Sequence, residues 1–142
     1  MRFMMLVIPE GYGEAEPGTV PDDAEAVATM MEYNEALQKA GVLLALDGLH
    51  PPSMGHRVSY SGGKPTVTDG PFTESKEVVG GYWLIDVASP EEAVAWAKRA
   101  PMGDDEIIEI RRVQEMDDFP EDVQKAAAGL EEMRDQTGEE AG

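Results

Sequence analysis

Asp69-Gly70-Pro71-Phe72-Thr73-Glu74-Ser75-Lys76-Glu77-Val78-Val79-Gly80-Gly81 runs without a break into Tyr82-Trp83-Leu84-Ile85. Glycine frees the backbone at Gly70, Gly80 and Gly81, and proline restricts it at Pro71, so the segment is a constrained turn. It opens onto a strand. From Tyr82 to Val87, Tyr82 and Leu84 face one way and Trp83, Ile85 and Val87 the other. Both sets are largely apolar, which places this strand inside a sheet and not at its rim.

Upstream, Arg57-Val58-Ser59-Tyr60 and Pro65-Thr66-Val67-Thr68 flank Ser61-Gly62-Gly63-Lys64, a hairpin by turn chemistry and alternation. Its polar content predicts an edge or a protruding ribbon. Val42 to Leu46 is a second buried strand, and Asp47-Gly48-Leu49-His50-Pro51-Pro52 ends it because a diproline cannot continue a ladder. The first strand spans residues 2 to 9, with Phe3, Met5 and Val7 on one face and Met4, Leu6 and Ile8 on the other. Between these strands a helix opens at Pro21-Asp22-Asp23-Ala24-Glu25, where an aspartate is followed three residues on by glutamate. Val27, Met30, Met31, Asn34, Leu37 and Ala40 recur at helical spacing before Gly41 stops the helix.

Downstream, Ser89-Pro90-Glu91-Glu92 starts a second helix whose inner face is Ala93, Trp96, Ala97 and Ala100. Glu106 to Glu115 is the last strand, with Ile108, Ile110 and Arg112 opposed to Ile107, Glu109, Arg111 and Val113. Beyond Phe119-Pro120, the positions Val123, Ala126, Ala127, Leu130 and Met133 predict one more amphipathic helix, then a disordered acidic end from Gln136 to Gly142. The main unit is thus residues 1–115, with 116–142 as a helical appendage.

With the hairpin set aside, the order is strand, helix, strand, strand, helix, strand. That is an α+β, ferredoxin-like arrangement with an antiparallel sheet and both helices on one face. Strands apolar front and back need cover on the other face too. A second copy of the chain supplies the larger cover, so a homodimer is expected, with the C-terminal helix as a clasp on the same or the neighbouring subunit. A pocket between the subunits would receive Glu109 and Arg111, unless these two pair with each other or with neighbours at the sheet edge.

The chain has 142 residues, enough for one domain with a full core. It carries 29 acidic against 11 basic residues, net -18, a field that repels nucleic-acid phosphates and anionic membranes. Direct nucleic-acid binding is therefore excluded as an expectation. With no cysteine, thiolate catalysis and sulfur-ligated metals drop out. The apolar start, Met1 to Ile8, is too short to span a bilayer and leads to Pro9-Glu10 where a leader would need small residues, so a cytoplasmic location is expected. Phosphate-loop, dinucleotide and serine-hydrolase patterns are missing.

The Asp69-Gly70-Pro71-Phe72 turn and the strand that follows resemble the signature of the DGPF subgroup of YCII-related proteins, small bacterial domains. The resemblance covers about residues 1 to 115 and is strongest at 69 to 85. It implies the dimeric α+β barrel assembly, and an enzyme that uses a recurring aspartate and histidine. Asp69 falls where the aspartate belongs. The histidine does not carry over, because the wider family places it on the first helix, where this chain has Met30, Met31 and Asn34. Proteins of this type are often encoded beside alternative sigma factors, which implies a second reading: a non-catalytic regulatory module contacting a transcription protein.

Asp69 leads the candidates as acid or base, against the alternative that its carboxylate merely closes the turn. His50 follows the second strand and could approach Asp69 to make an acid–base pair; His50 and His56 otherwise read as exposed loop residues. Lys76, between Glu74 and Glu77, either joins a salt-bridge cluster or receives an anionic substrate. Gly80-Gly81 marks close backbone approach or a bulge, which would make room for a ligand or a partner subunit. His50, His56 and Asp47 match no compact metal-ligand spacing, so neither metal nor cofactor is expected. The two function classes left are a cofactor-free enzyme or binder of a small organic molecule, with a pocket between subunits near Asp69, and the regulatory module.

Overall fold

The structure, a computed structural model, describes residues 1–73 and 77–141, with side chains through residue 136. Its strands are β1 (Arg2–Ile8), β2 (Leu43–Gly48), β3 (His56–Ser61), β4 (Lys64–Asp69), β5 (Gly81–Asp86) and β6 (Ile107–Arg112). Its helices are α1 (Ala24–Lys39), α2 (Pro90–Arg99), α3 (Glu121–Ala126) and α4 (Leu130–Ala141). One antiparallel sheet has the order β2-β5-β1-β6, and β3-β4 form a second, two-stranded sheet. Removing the hairpin leaves the ferredoxin-like order expected from sequence.

Both helices lie on one face of the larger sheet because only one face carries their complement. Phe3, Met5, Trp83, Ile85 and Val87 from the strands pack with Tyr33 and Leu37 of α1 and Ala93 of α2, all buried. Trp96, Ala97 and Ala100 complete the inner face of α2. A register shift between Leu43 and Ala45 turns Leu43 toward this core and sets Ala45 beside Leu84 on the other face. Asp23, not Asp22, caps α1, its carboxylate accepting from the Glu25 and Ala26 amides at 3.0 and 3.3 Å. Gly41, at φ 73°, ends it in the left-handed region as expected.

The polar groups of Tyr33, Asn34 and Trp83 that enter the core are satisfied. The Trp83 indole N–H donates to Asn34 Oδ1 at 2.8 Å, and the Tyr33 hydroxyl donates to the Trp96 carbonyl at 2.7 Å. Tyr33 also meets Trp83 edge-on, with ring centroids 5.3 Å apart. Asn34 of α1 is therefore occupied in holding the core together.

The second face keeps Met4, Leu6, Tyr82 and Leu84 half-buried and Ile107 exposed. The C-terminal segment approaches it at one corner. Glu115 accepts from Arg2 Nε at 2.7 Å and Nη2 at 3.0 Å, and Arg134 of α4 lies 3.7 Å from the same carboxylate. By alternation Arg2 shares its side of β1 with Met4 and Leu6. The single C-terminal helix expected from sequence is two. Gly129 adopts φ 95° between α3 and α4, a conformation that only glycine takes cheaply and that no helix continues through. Helix α4 then runs on to Ala141, through the stretch from Gln136 expected to be disordered. Among the described residues no helix is long and apolar enough to cross a membrane.

Candidate functional site

The site grows from the hairpin turn. Gly62 and Gly63 both have positive φ, 58° and 78°, as a two-residue type I′ turn demands, and that turn fixes the pairing of everything behind it. Counting back from Ser61 opposite Lys64, the ladder places His56 opposite Asp69. The next pair out is bonded, with the Gly70 amide donating to the Gly55 carbonyl at 2.9 Å. His56 and Asp69 therefore occupy a non-bonded position of the ladder, where facing side chains come closest. His56 Nδ1 lies 2.7 Å from Asp69 Oδ1.

That contact has a chemical consequence. An ionised carboxylate only accepts, so the proton of a neutral His56 ring sits on Nδ1, and Nε2 is left with its lone pair. Both side chains are open to solvent, 66% and 77% exposed, so the pair is reachable by a ligand without any rearrangement of the core.

The glycine, proline and phenylalanine after Asp69 anchor the pair. A Cβ on Gly70 would stand 1.7 Å from the Pro52 carbonyl oxygen, so only glycine lets the turn lie against the 3₁₀ turn at Pro52–Met54. The Gly70-Pro71 peptide is cis. Phe72 then lies beneath Arg57, whose guanidinium carbon is 3.9 Å from the ring centroid. Further anchors hold the neighbouring loops. Tyr12 donates to the Leu49 carbonyl at 2.7 Å, and Ser53 to the Ala15 carbonyl at 2.9 Å. The Gly80-Gly81 pair serves close approach, with a Cβ on Gly80 falling 2.6 Å from Pro9 and one on Gly81 3.0 Å from the Asp47 carbonyl.

A cleft lies on each side of Phe72. The larger, about 620 Å³, runs between the 13–17 loop and Gly70-Pro71. The smaller, about 340 Å³, is lined by His50, His56, Arg57 and Glu77 among apolar Leu49, Val78 and Val79. Both histidines of the chain line the smaller one.

The sequence-expected residues divide accordingly. Asp69 is in the site, but its partner is His56, not His50; His50 lines the same cleft and makes no hydrogen bond to Asp69. His56 belongs to β3 and is not a loop residue. Glu109 and Arg111 are exposed on β6, in register with Leu6 and Met4 on the uncovered sheet face, and line neither cleft. They form no ion pair with each other among the described residues. Glu74 and Lys76 lie outside the described residues. His56 and Arg57 are the residues that sequence reasoning missed as site members, although counting outward from Gly62-Gly63 would have put His56 across from Asp69. No group of three or more metal-ligating side chains occurs among the described residues.

An antiparallel sheet in the order β2-β5-β1-β6, two helices on one face and an inserted hairpin that carries an aspartate–histidine pair define a small ferredoxin-like α+β domain. The chain belongs to the YCII-related domain family, whose model matches residues 1–117. It is also similar to an uncharacterised protein of Rhizobium meliloti (strain 1021), 32% identical over 77 residues, or 54% of this chain. The chain spans 62% of the length of that relative.

Proposed function

We propose that this protein is a cofactor-free acid–base catalyst of a small organic molecule, with His56 as the proton carrier and Asp69 as the group that orients it. The 2.7 Å contact between His56 Nδ1 and Asp69 Oδ1 carries this reading. His56 Nε2 takes a proton from the substrate, and the electron pair of the broken bond stays on the substrate atom. Asp69 stabilises the imidazolium so formed, and Nε2 then returns the proton to the substrate at the same or a neighbouring atom. Such general acid–base assistance is worth roughly a hundredfold to ten-thousandfold in rate.

The uncovered sheet face supports a homodimer. Met4, Leu6 and Leu84 leave apolar surface there, and Glu109 and Arg111 stand two residues apart without an ion-pair partner among the described residues. A twofold-related copy would pair Glu109 of one subunit with Arg111 of the other while covering the apolar surface.

The test is a mixed pool of small metabolites incubated with the protein in D2O and followed by proton NMR for consumption or deuterium uptake. The wild type should alter at least one component, with His56→Gln and Asp69→Asn slower by about a hundredfold. Full activity in His56→Gln would sink the reading.

A further inference from the structure

We infer that the cleft beside His56 takes a small organic monocarboxylate, with the Arg57 guanidinium as the group that receives the carboxylate; this rests on the acid–base reading of the same cleft. Arg57 lines that cleft, and its guanidinium carbon lies over the Phe72 ring, 3.9 Å from the centroid. A cation–π contact of this kind holds the guanidinium by its carbon and leaves its N–H groups to donate elsewhere. A planar fork of donors matches the two oxygens of a carboxylate.

Among the described residues three other arginines are taken by acids, while Arg99 rests on Trp96 and Arg111 stands on β6, neither lining a cleft. Arg2 and Arg134 sit on Glu115, and Arg112 lies 3.6 Å from Asp118. In a chain with 29 acidic side chains against 11 basic ones, a guanidinium held by a ring and by no carboxylate among the described residues is a vacant acid receptor.

The remaining walls narrow the ligand. Leu49, Phe72, Val78 and Val79 offer apolar surface for a hydrocarbon body, and about 340 Å³ suits a molecule of benzoate size. Glu77 shares the cleft, Asp69 stands behind His56, and the whole chain carries net -18. Among the described residues one cation lines the cleft; it balances one negative charge and the acidic surroundings disfavour a second, so a monocarboxylate is favoured over a phosphate ester. Because His56 lines the same small space, the carboxylate grip brings the rest of the molecule within its reach.

Benzoate, benzamide and phenyl phosphate are the probes, titrated into the full chain while the Val78 and Val79 methyl signals and the Arg57 side-chain N–H are followed by NMR. Benzoate should shift them at millimolar concentration, with the other two weaker by about tenfold or more. Arg57→Gln should weaken benzoate by about tenfold, and Arg57→Lys should recover only part because it keeps the charge and loses the fork. Circular dichroism establishes that each variant is folded. Equal binding of benzoate and benzamide, tighter binding of phenyl phosphate, or undiminished benzoate binding in Arg57→Gln would each overturn the inference. If Arg57 is needed for benzoate while His56→Gln leaves metabolite turnover intact, the carboxylate site stands and the acid–base reading falls. Turnover that needs His56 with benzoate binding that ignores Arg57 removes the carboxylate site alone.

Discussion

His56 and Asp69 face each other at the open end of the β3-β4 hairpin, 2.7 Å apart, because a two-residue glycine turn at the far end counts them into register. The carboxylate thereby selects which imidazole nitrogen carries the proton.

Asp69→Asn should remove that selection. An amide presents either its oxygen or its NH2 to Nδ1, so the nitrogen-15 shifts of the His56 ring should move from one dominant tautomer toward a mixture. The fold should barely notice, since an exposed pair contributes about 0–1 kcal/mol. An unchanged tautomer would show that Asp69 does not orient the ring.

Gly70→Ala should be costly despite its small size. The new methyl would meet the Pro52 carbonyl oxygen, which is backbone and cannot swing aside, so about 1–3 kcal/mol of stability should be lost. Thermal or urea denaturation measures it. The displaced turn should also pull Asp69 from His56, so this variant should lose the dominant tautomer as well.

Asn34→Ala tests the core. It strands the buried Trp83 indole N–H, at a cost of about 1–3 kcal/mol in urea denaturation, with a change in tryptophan fluorescence as the bond is lost. Fluorescence identical to the wild type would mean that Trp83 does not rely on Asn34.

Stability should fall at both ends of the pH scale for separate reasons. The hydrogen bond from Arg2 holds the Glu115 carboxyl below its ordinary 4.5, with Arg2 and Arg134 adding charge attraction. A lowered folded-state value contributes stability that is present above 4.5 and is lost as pH falls through the folded value, so Glu115→Gln should flatten the acid limb. Burial pushes the Tyr33 hydroxyl from 10.0 up to about 12. Between those values the unfolded chain ionises first, so stability present below pH 10 is lost as pH rises toward 12. Tyr33→Phe should remove that alkaline loss while lowering the neutral plateau by about 1 kcal/mol for the missing bond to the Trp96 carbonyl. Urea midpoints across pH read both effects.

Leu6→Asp tests the sheet face. Light scattering should give twice the chain mass for the wild type and the single-chain mass for this variant, since a carboxylate on the contact surface is left without a partner. A monomeric wild type would remove the homodimer.

Sequence patterns sufficed for most of the architecture because its causes are local. Alternation in Tyr82 to Val87, the cap at Ser89 and the glycine turn at Gly62-Gly63 each act within a few residues, although the cap of α1 fell one residue later than its spacing to Glu25 indicated. The break at Gly129 was readable in principle, but apolar positions on both sides kept a helical period that concealed it. The candidate site was only half legible. Asp69 stood out through its turn, whereas His56 looked like a loop residue until the ladder was counted back from the glycines.

Chain order and apolar spacing by themselves determined that two helices cover one face of a four-stranded sheet, since burial of periodic apolar positions allows few other arrangements. Only the tertiary structure decided that Arg57 rests on Phe72, that the Gly70 turn lies against Pro52, and that Glu109 and Arg111 stand apart from the pair of His56 and Asp69. Those relations depend on how separate segments are brought together across the molecule, and side-chain spacing along the chain holds no measure of that distance.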